Sequence, residues 1–161
     1  AVARRGSLML GVSIRSVHAR MRPSISGLSQ SCTSSAAAAG VEHVFLSAHC
    51  AFPWSPKVIR AGMGAHFLLS IHEGADLSRI ALSFKGKVVA TSLTAKQSIY
   101  QTDLRGPVAL VFGNEGAGLS EALLEAATTQ VSIPMPGKME SLNAAAAAAI
   151  CLFERVRQTN K

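Results

Sequence analysis

The length, composition and cysteine content of this chain exclude several classes of protein. Its 161 residues suit one domain, and a hydrophobic fraction of 48% is enough for a full core. No apolar run reaches the roughly 18 residues that a membrane span needs. The long run from Ala144 to Phe153 lies between Asn143 and Glu154, and predicts a helix buried in the core or in a subunit interface. Three cysteines without a spaced pair indicate a reducing, cytoplasmic location.

The net charge of +7 indicates a polyanionic partner, above all nucleic acid. The charge is unevenly distributed. Residues 1–41 contain five arginines and no acidic residue, whereas residues 42–161 contain eleven Lys or Arg against nine Asp or Glu. The excess of positive charge lies mainly in residues 1–41. The alternative interpretation is therefore that the charge serves only solubility.

The first 35 residues differ from the rest of the sequence. They mix Arg, Ser, Met and Gly without a period of 2 or 3.6 residues, which predicts neither a strand nor a helix. We therefore divide the chain into an atypical head, residues 1–35, and a regular domain, residues 36–161. Three interpretations of the head stay open: a disordered native segment, an organelle transit peptide, and the product of a reading-frame slip.

From Ala36 onwards, predicted strands and helices alternate. Ala36–Gly40 is typical of a helix end, with glycine just after the last turn. The predicted strands are Val41–Ser47, Phe67–Ile71, Lys87–Leu93, Val108–Phe112 and Gln130–Ile133. One predicted helix begins at Ser55-Pro56 and ends near Gly62–Gly64, and the others cover Ala75–Phe84, Ser120–Ala127 and Ser141–Arg157. This alternation predicts an α/β fold whose mostly parallel sheet has helices on both faces.

Two strand–loop–helix junctions are the candidates for a functional site. The first runs from Leu110 to Glu121 and the second from Ile133 to Asn143. Both place an irregular loop after a strand, and open parallel sheets bind ligands in the crevice at the carboxyl ends of their strands.

The first junction is rich in glycine but matches no phosphate-binding motif. It lacks the Lys-Ser/Thr of a Walker loop and the spacing of G-x-G-x-x-G. Glu115 in its turn can hold a hydroxyl or an amine, or orient an arginine. The purely structural alternative is a strand–turn–helix corner with Ser120 as the N-cap, and with Ser141 and Asn143 as ordinary residues at the start of the next helix.

Together the two junctions resemble a known family. Phe112-Gly113-Asn114-Glu115-Gly116-Ala117-Gly118-Leu119 and Ile133-Pro134-Met135-x-Gly137-x-x-x-Ser141-Leu142-Asn143 are similar to the second and third motifs of the SpoU/TrmH RNA ribose 2′-O-methyltransferases, in the SPOUT superfamily. Ser55–Ala65 resembles the family's segment between its first and second motifs. The resemblance covers about residues 36–158.

The resemblance implies a fold, a cofactor and a reaction. The C-terminal part would form a trefoil knot that holds S-adenosyl-L-methionine, and the enzyme would methylate a ribose 2′-hydroxyl of rRNA or tRNA as a homodimer, without a metal. Five histidines without ligand spacing give no reason to expect a metal site either. By motif, the cofactor would contact Gly113, Ile133 and Leu142, and Thr91, which follows Lys87–Ala90 of a predicted strand, would line the same pocket. The catalytic positions would be Glu115, Ser141 and Asn143, and Lys138 is the best candidate for an RNA contact.

The sequence departs from the family at the first motif, Asn-x-Gly-x-x-x-Arg. This motif should stand just before Ala36–Gly40, and its arginine assists deprotonation of the ribose. Residues 27–35 contain neither Asn nor Arg, and Ser34 falls where the arginine belongs. The alternative function is therefore a catalytically silent RNA-binding module, and a third is an unrelated nucleotide-binding α/β protein. The methyltransferase and the silent module both predict affinity for S-adenosylmethionine without affinity for ATP. The unrelated nucleotide-binding protein does not, so these two binding measurements would separate it from the other two.

Overall fold

A parallel β-sheet forms the centre of the fold. The computed structural model describes residues 7–11, 28–48, 50, 52–113 and 118–160, and these contain seven strands in the order β3-β2-β1-β6-β4-β7-β5, all paired in parallel. The strands are β1 (Ser7–Gly11), β2 (His43–Leu46), β3 (Ser70–His72), β4 (Lys87–Thr91), β5 (Gln97–Ser98), β6 (Val108–Phe112) and β7 (Thr129–Ser132). The helices are α1 (Leu28–Ala38), α2 (Pro56–Ala61), α3 (Leu77–Ser83), α4 (Glu121–Ala126) and α5 (Ala144–Thr159), with 3-10 turns at Ala65–Phe67 and Ile99–Gln101.

Strand β6 is buried on both faces of the sheet. Val108, Leu110 and Phe112 belong to a core that also contains residues of α1 and α5. Ala109 and Val111 belong to a second core, which contains residues of α3 and α4. A strand covered on both sides has no solvent-facing positions, so its sequence is a continuous apolar run rather than an alternating one. The prediction of an α/β fold with a parallel sheet and helices on both faces is confirmed.

The predicted elements from Val41 onwards are present, most of them with shifted ends. The predicted strand Phe67–Ile71 is instead β3, because Phe67 lies in a 3-10 turn and is 87% exposed. The last helix begins at Ala144 rather than at Ser141, because the Asn143 side chain caps its first turn. The helix after Ser55-Pro56 ends at Ala61.

Two strands of the sheet are absent from the sequence prediction. β5 has only two residues, and β1 lies within the segment 1–35, where it pairs with β2 and β6. Helix α1 also begins in that segment, at Leu28, and Gly40 follows its end with a φ of +72°. The boundary at residue 36 stays a prediction, as does the C-terminal knot, which is not visible in the structure. No helix in the described residues is long and apolar enough to cross a membrane.

Candidate functional site

A cavity of about 360 Å³ opens at the carboxyl ends of β4, β6 and β7, which are neighbours in the sheet. Its wall comes from four parts of the chain: residues 91–94 after β4, the two sides of the β6–α4 connection, the end of β7 with the start of its loop, and the start of α5. Loops that follow adjacent parallel strands emerge on the same side of a sheet. This edge is therefore where the sequence predicts a site.

The β4 side of the cavity is fixed by hydrogen bonds to its two neighbouring strands. The Thr91 hydroxyl donates to the carbonyl oxygen of Val111 at 3.1 Å. The backbone N–H of Ser92 donates to the carbonyl oxygen of Val131 at 2.9 Å. Thr91 is thus held between β6 and β7, with its side chain at the cavity wall.

The β6–α4 connection brings its own backbone into close contact at the cavity. A Cβ atom on Gly113 would lie 2.4 Å from the carbonyl carbon of Gly118 and 2.8 Å from the backbone nitrogen of Leu119. Gly118 has a φ of +65°, which favours glycine. The close backbone contact leaves room only for glycine at position 113, and the positive φ favours glycine at position 118. The geometry of the loop therefore accounts for both glycines of the first junction.

The β7–α5 loop supplies the opposite wall. Ile133, Met135, Ser141 and Leu142 line the cavity, and Ile133 and Leu142 are half-buried there. The side-chain oxygen of Asn143 accepts a hydrogen bond from the backbone N–H of Ala145 at 2.8 Å, which caps α5. The structure therefore makes Asn143 the N-cap, where the sequence offers Ser141 as the ordinary cap.

The structure brings together most of the residues predicted to form the site. The four predicted cofactor positions, Thr91, Gly113, Ile133 and Leu142, all line the cavity. So does the predicted catalytic residue Ser141, and Asn143 lies two residues along the chain.

The other two predicted site residues are Lys138 and Glu115. Lys138 is exposed, in the same loop but not on the cavity wall. Glu115 lies outside the described residues. The roles assigned to all the predicted site residues stay predictions.

Sequence reasoning missed part of the wall. Leu119, Leu124 and Met135 line the cavity. Leu119 and Met135 lie within the two motifs, and Leu124 lies just after the first. Closeness in sequence to a motif was therefore the signal that could have identified them. Leu93 and Thr94 carry no comparable signal, because they lie in a loop without a motif.

The wall is mainly apolar, and no described residue that lines it is charged. Hydroxyls from Thr91, Ser92, Thr94 and Ser141 provide its polar side chains. This composition suits a ligand with flat apolar parts and a few hydrogen-bonding groups. It does not offer the Lys or Arg that would neutralise a triphosphate. In the described part of the chain, no group of three or more His, Cys, Asp or Glu is placed to hold a metal ion.

Comparison with known proteins now decides the family. The model of the SpoU rRNA Methylase family matches residues 31–153. The chain belongs to the SpoU family. Both signature junctions lie inside the matched range, so the resemblance inferred from the motifs is confirmed.

The names of individual relatives support this assignment to the SpoU family. An uncharacterized tRNA/rRNA methyltransferase of Synechocystis sp. is 40% identical over 126 residues, which cover 76% of this chain and 46% of the relative. The 23S rRNA (guanosine-2′-O-)-methyltransferase RlmB of Shewanella oneidensis is 36% identical over 130 residues, 79% of this chain and 53% of the relative. The SpoU domain therefore spans about half the length of the curated relatives it matches.

A solved structure supports the fold over nearly the whole chain. The SpoU methyltransferase AviRb from Streptomyces viridochromogenes, in complex with the cofactor AdoMet, superposes with a TM-score of 0.79 at 30% identity. The superposition covers 99% of this SpoU chain and 63% of AviRb. The α/β architecture of the two proteins is therefore shared.

Proposed function

We propose that this domain transfers a methyl group from S-adenosylmethionine to a ribose 2′-hydroxyl of rRNA or tRNA. The observation that carries the proposal is the largely apolar cavity at the ends of β4, β6 and β7, whose described lining residues carry no charge and include the four residues expected to bind the cofactor. Family membership supports it, as do the names of the relatives, which are rRNA and tRNA methyltransferases. The AviRb structure contains AdoMet, which supports this choice of cofactor.

The residues of the cavity fit S-adenosylmethionine. Ile133 and Leu142 provide apolar surface for the adenine and the methionine chain, and the Thr91 hydroxyl and the Gly113 backbone provide polar contacts. The bound cofactor supplies a methyl group already activated by the sulfonium. The walls would align the cofactor with the ribose, and alignment together with a positioned base accounts for most of the rate gain expected in such a transfer.

We assign three polar residues to the acceptor side of the reaction. Ser141 lies on the cavity wall, exposed to solvent, where its hydroxyl can hydrogen-bond the ribose. Asn143 holds the start of α5, so it acts on the site through the position of that helix as well as through its own amide. Glu115 would orient the ribose or a catalytic arginine. Lys138, exposed in the β7–α5 loop, would contact an RNA phosphate.

We also propose that the domain works as a homodimer in the cytoplasm. Helix α5 supports the dimer: Ala146 and Phe153 are exposed, and Ala149 and Ile150 are half-buried between them. These residues recur at intervals of three and four, so they form one apolar stripe along the helix. A second copy of the chain would cover that stripe.

A second candidate function has one observation in its favour. Ser34, which lies in α1, occupies the position where the family's first motif has its arginine. A domain without that group would keep the cavity and lack the assistance to deprotonation of the 2′-hydroxyl. It would then bind the cofactor and RNA without catalysing transfer.

A methyl-transfer assay separates the two functions. The purified chain is incubated with S-adenosylmethionine labelled in its methyl group and with total rRNA or tRNA, beside a Ser34→Arg variant. Label that enters RNA and leaves one phosphodiester resistant to alkali identifies a ribose 2′-O-methyl group, since alkaline cleavage needs a free 2′-hydroxyl. Transfer by the wild-type chain supports the enzyme. Binding of both ligands without transfer, even at long incubation, supports the silent module.

A further inference from the structure

Two exposed aromatic residues lie in the loop between β2 and α2. Phe52 is 61% exposed and Trp54 is 40% exposed. Large aromatic side chains normally lower the free energy of folding by being buried, so two of them exposed within three residues indicate a surface used for binding.

The loop that carries them is held in place by side-chain contacts. The indole N–H of Trp54 donates to a carboxylate oxygen of Glu73 at 2.7 Å. His66, only 5% exposed, packs beside the indole with ring centroids 5.4 Å apart, and its Nε2 donates to the carbonyl oxygen of Pro53 at 2.9 Å. Trp54 is thus anchored at its nitrogen and supported by His66, while a large part of its surface remains open.

The aromatic pair lies at the same edge of the sheet as the cavity. It follows the carboxyl end of β2, and Glu73 follows the carboxyl end of β3. In the sheet order β2-β1-β6, the end of β2 is two strands from the end of β6, where Gly113 borders the cavity. Adjacent strands are about 4.8 Å apart, so the end of β2 is roughly 10 Å from the end of β6, and the end of β3, where Glu73 holds Trp54, is roughly 14 Å from it. Nucleotides that neighbour the one whose ribose enters the cavity can span these distances.

Groups of both signs lie near the pair: the Glu73 carboxylate contacts Trp54, and two cations follow the pair on α2. Residues 43–72 contain two cations, Lys57 and Arg60, and no Asp or Glu. Both cations are exposed on α2, which begins two residues after Trp54. The nearest acid along the chain after them, Glu73, is engaged by the indole N–H. Exposed aromatic faces beside cations are how proteins bind single-stranded RNA, with bases stacked on the rings and phosphates near the charges.

We propose that Phe52 and Trp54 form a stacking platform for unpaired bases that flank the methylated nucleotide, with Lys57 and Arg60 contacting the adjoining phosphates. The proposal rests on the proposed function, because the RNA is the substrate of the same site. It narrows that substrate to an unpaired segment, since bases within a duplex have no free face for an aromatic ring.

The fluorescence of the wild-type chain tests the platform directly. Trp54 is the one tryptophan of the sequence, so intrinsic tryptophan emission reports on this position alone. The probe is a short mixed-sequence single-stranded RNA with an end label, whose anisotropy reports binding independently. We expect saturable quenching of Trp54 by the single strand, and much weaker quenching by the same sequence in a duplex. Binding detected by anisotropy with unchanged Trp54 emission would overturn the proposal.

Matched variants give a second readout. Phe52→Ala and Trp54→Ala should each weaken binding of the single strand roughly tenfold, because stacking on one ring is worth that much or more. Trp54→Phe should retain most of the affinity. Leu82→Ala is the control, since Leu82 is 76% exposed near the end of α3, where the chain turns back towards the amino end of β4. Equal effects of Phe52→Ala and Leu82→Ala would contradict the platform.

Two further measurements keep this proposal separate from the proposed function. Affinity for S-adenosylhomocysteine should be unchanged in Phe52→Ala and Trp54→Ala, because neither residue lines the cavity. Absence of that affinity in the wild-type chain would count against the methyltransferase and leave the fluorescence test standing. If the variants change the molecular mass in solution and not RNA affinity, the aromatic pair is a subunit interface and the proposal is wrong.

Discussion

Gly113 lies where the β6–α4 connection passes closest to itself. A methyl group there would meet backbone atoms of Gly118 and Leu119, which cannot rotate away as a side chain can. We expect Gly113→Ala to displace the loop at the cavity and to weaken S-adenosylhomocysteine binding at least tenfold, measured by isothermal titration. Gly137 is the matched control in the second junction, since its Cβ would meet nothing within 4 Å. Unchanged affinity in Gly113→Ala would show that the loop does not shape the site.

Asn143 combines a structural contact with a predicted catalytic role, and substitutions can separate the two. Asn143→Ala removes the cap of α5 and should lower the free energy of unfolding by about 1 kcal/mol. Asn143→Asp retains an oxygen that caps the helix, so its stability in urea should match the wild type. If methyl transfer falls in both variants, the amide acts in the reaction. Full methyl transfer by Asn143→Asp would show that Asn143 serves only as the N-cap of α5.

At the residue scale, the sequence could predict the cavity positions but not every local contact. Gly113, Ile133 and Leu142 came from their position in the motifs and Thr91 from its place after Lys87–Ala90 of a predicted strand, and all four line the cavity. The cap of α5 was missed because serine and asparagine are both good N-cap residues, and Ser141 stands only two positions earlier. The path of the loop from β7, which the local sequence does not specify, decides between them.

The C-terminal end of α5 is joined to the rest of the fold by a polar cluster. Arg157 donates to both carboxylate oxygens of Glu154, at 2.7 and 2.8 Å, and Glu154 also accepts from Gln158. Gln158 in turn accepts from the backbone N–H of Leu104 and donates to the carbonyl oxygen of Thr102. The cluster thereby ties the helix to the segment that leads into β6.

This cluster predicts an acid-dependent stability. The Arg157 guanidinium holds the pKa of Glu154 below its ordinary value of 4.5. A carboxyl whose pKa is lowered by folding stabilises the protein above its unfolded pKa and loses that contribution as the pH falls. Glu154→Gln should therefore be less stable than the wild type at neutral pH, by roughly 1 kcal/mol. The difference should shrink below pH 4.5 in urea unfolding, and a constant difference would contradict the ion pair.

At the element scale, the sequence predicted the buried strand β6 and missed β1 and β5. β6 was predicted with the bounds that the structure has, because five consecutive apolar residues between the turn residues Pro107 and Gly113 permit little else. β1 was missed because its five residues, SLMLG, stand among arginines and serines and show no alternation. β5 was missed because two residues carry no pattern, and it forms by pairing with β7.

The strand order belongs to the whole molecule and could not be obtained from local patterns. Alternating strands and helices predict a parallel sheet, but β1 pairs with β6 through contacts such as Leu8 with Ala109, about a hundred residues apart in sequence. That pairing, with the pairing of β6 to β4, places β6 in the middle of the sheet, and the pairings of β4 with β6 and β7 bring their three loops together. The cavity is therefore a product of long-range pairing.

The proposed homodimer gives a prediction at the same scale. Phe153, 48% exposed on α5, belongs to the apolar stripe that a second copy would cover. Phe153→Arg should convert the dimer to a monomer in size-exclusion chromatography with light scattering, because it places a charge in an apolar interface. Leu82→Arg is the control, since Leu82 is 76% exposed on α3, against the other face of the sheet. A wild-type chain that is already monomeric would contradict the dimer.

The central claim, that the cavity is an S-adenosylmethionine site of a SpoU methyltransferase domain, has a direct test. The measurement is isothermal titration of the purified wild-type chain with S-adenosylhomocysteine, beside a titration with ATP. We predict one S-adenosylhomocysteine per chain and no heat of binding with ATP, because the described cavity wall is apolar and uncharged. Binding of ATP, or no binding of S-adenosylhomocysteine by a folded chain, would contradict the account.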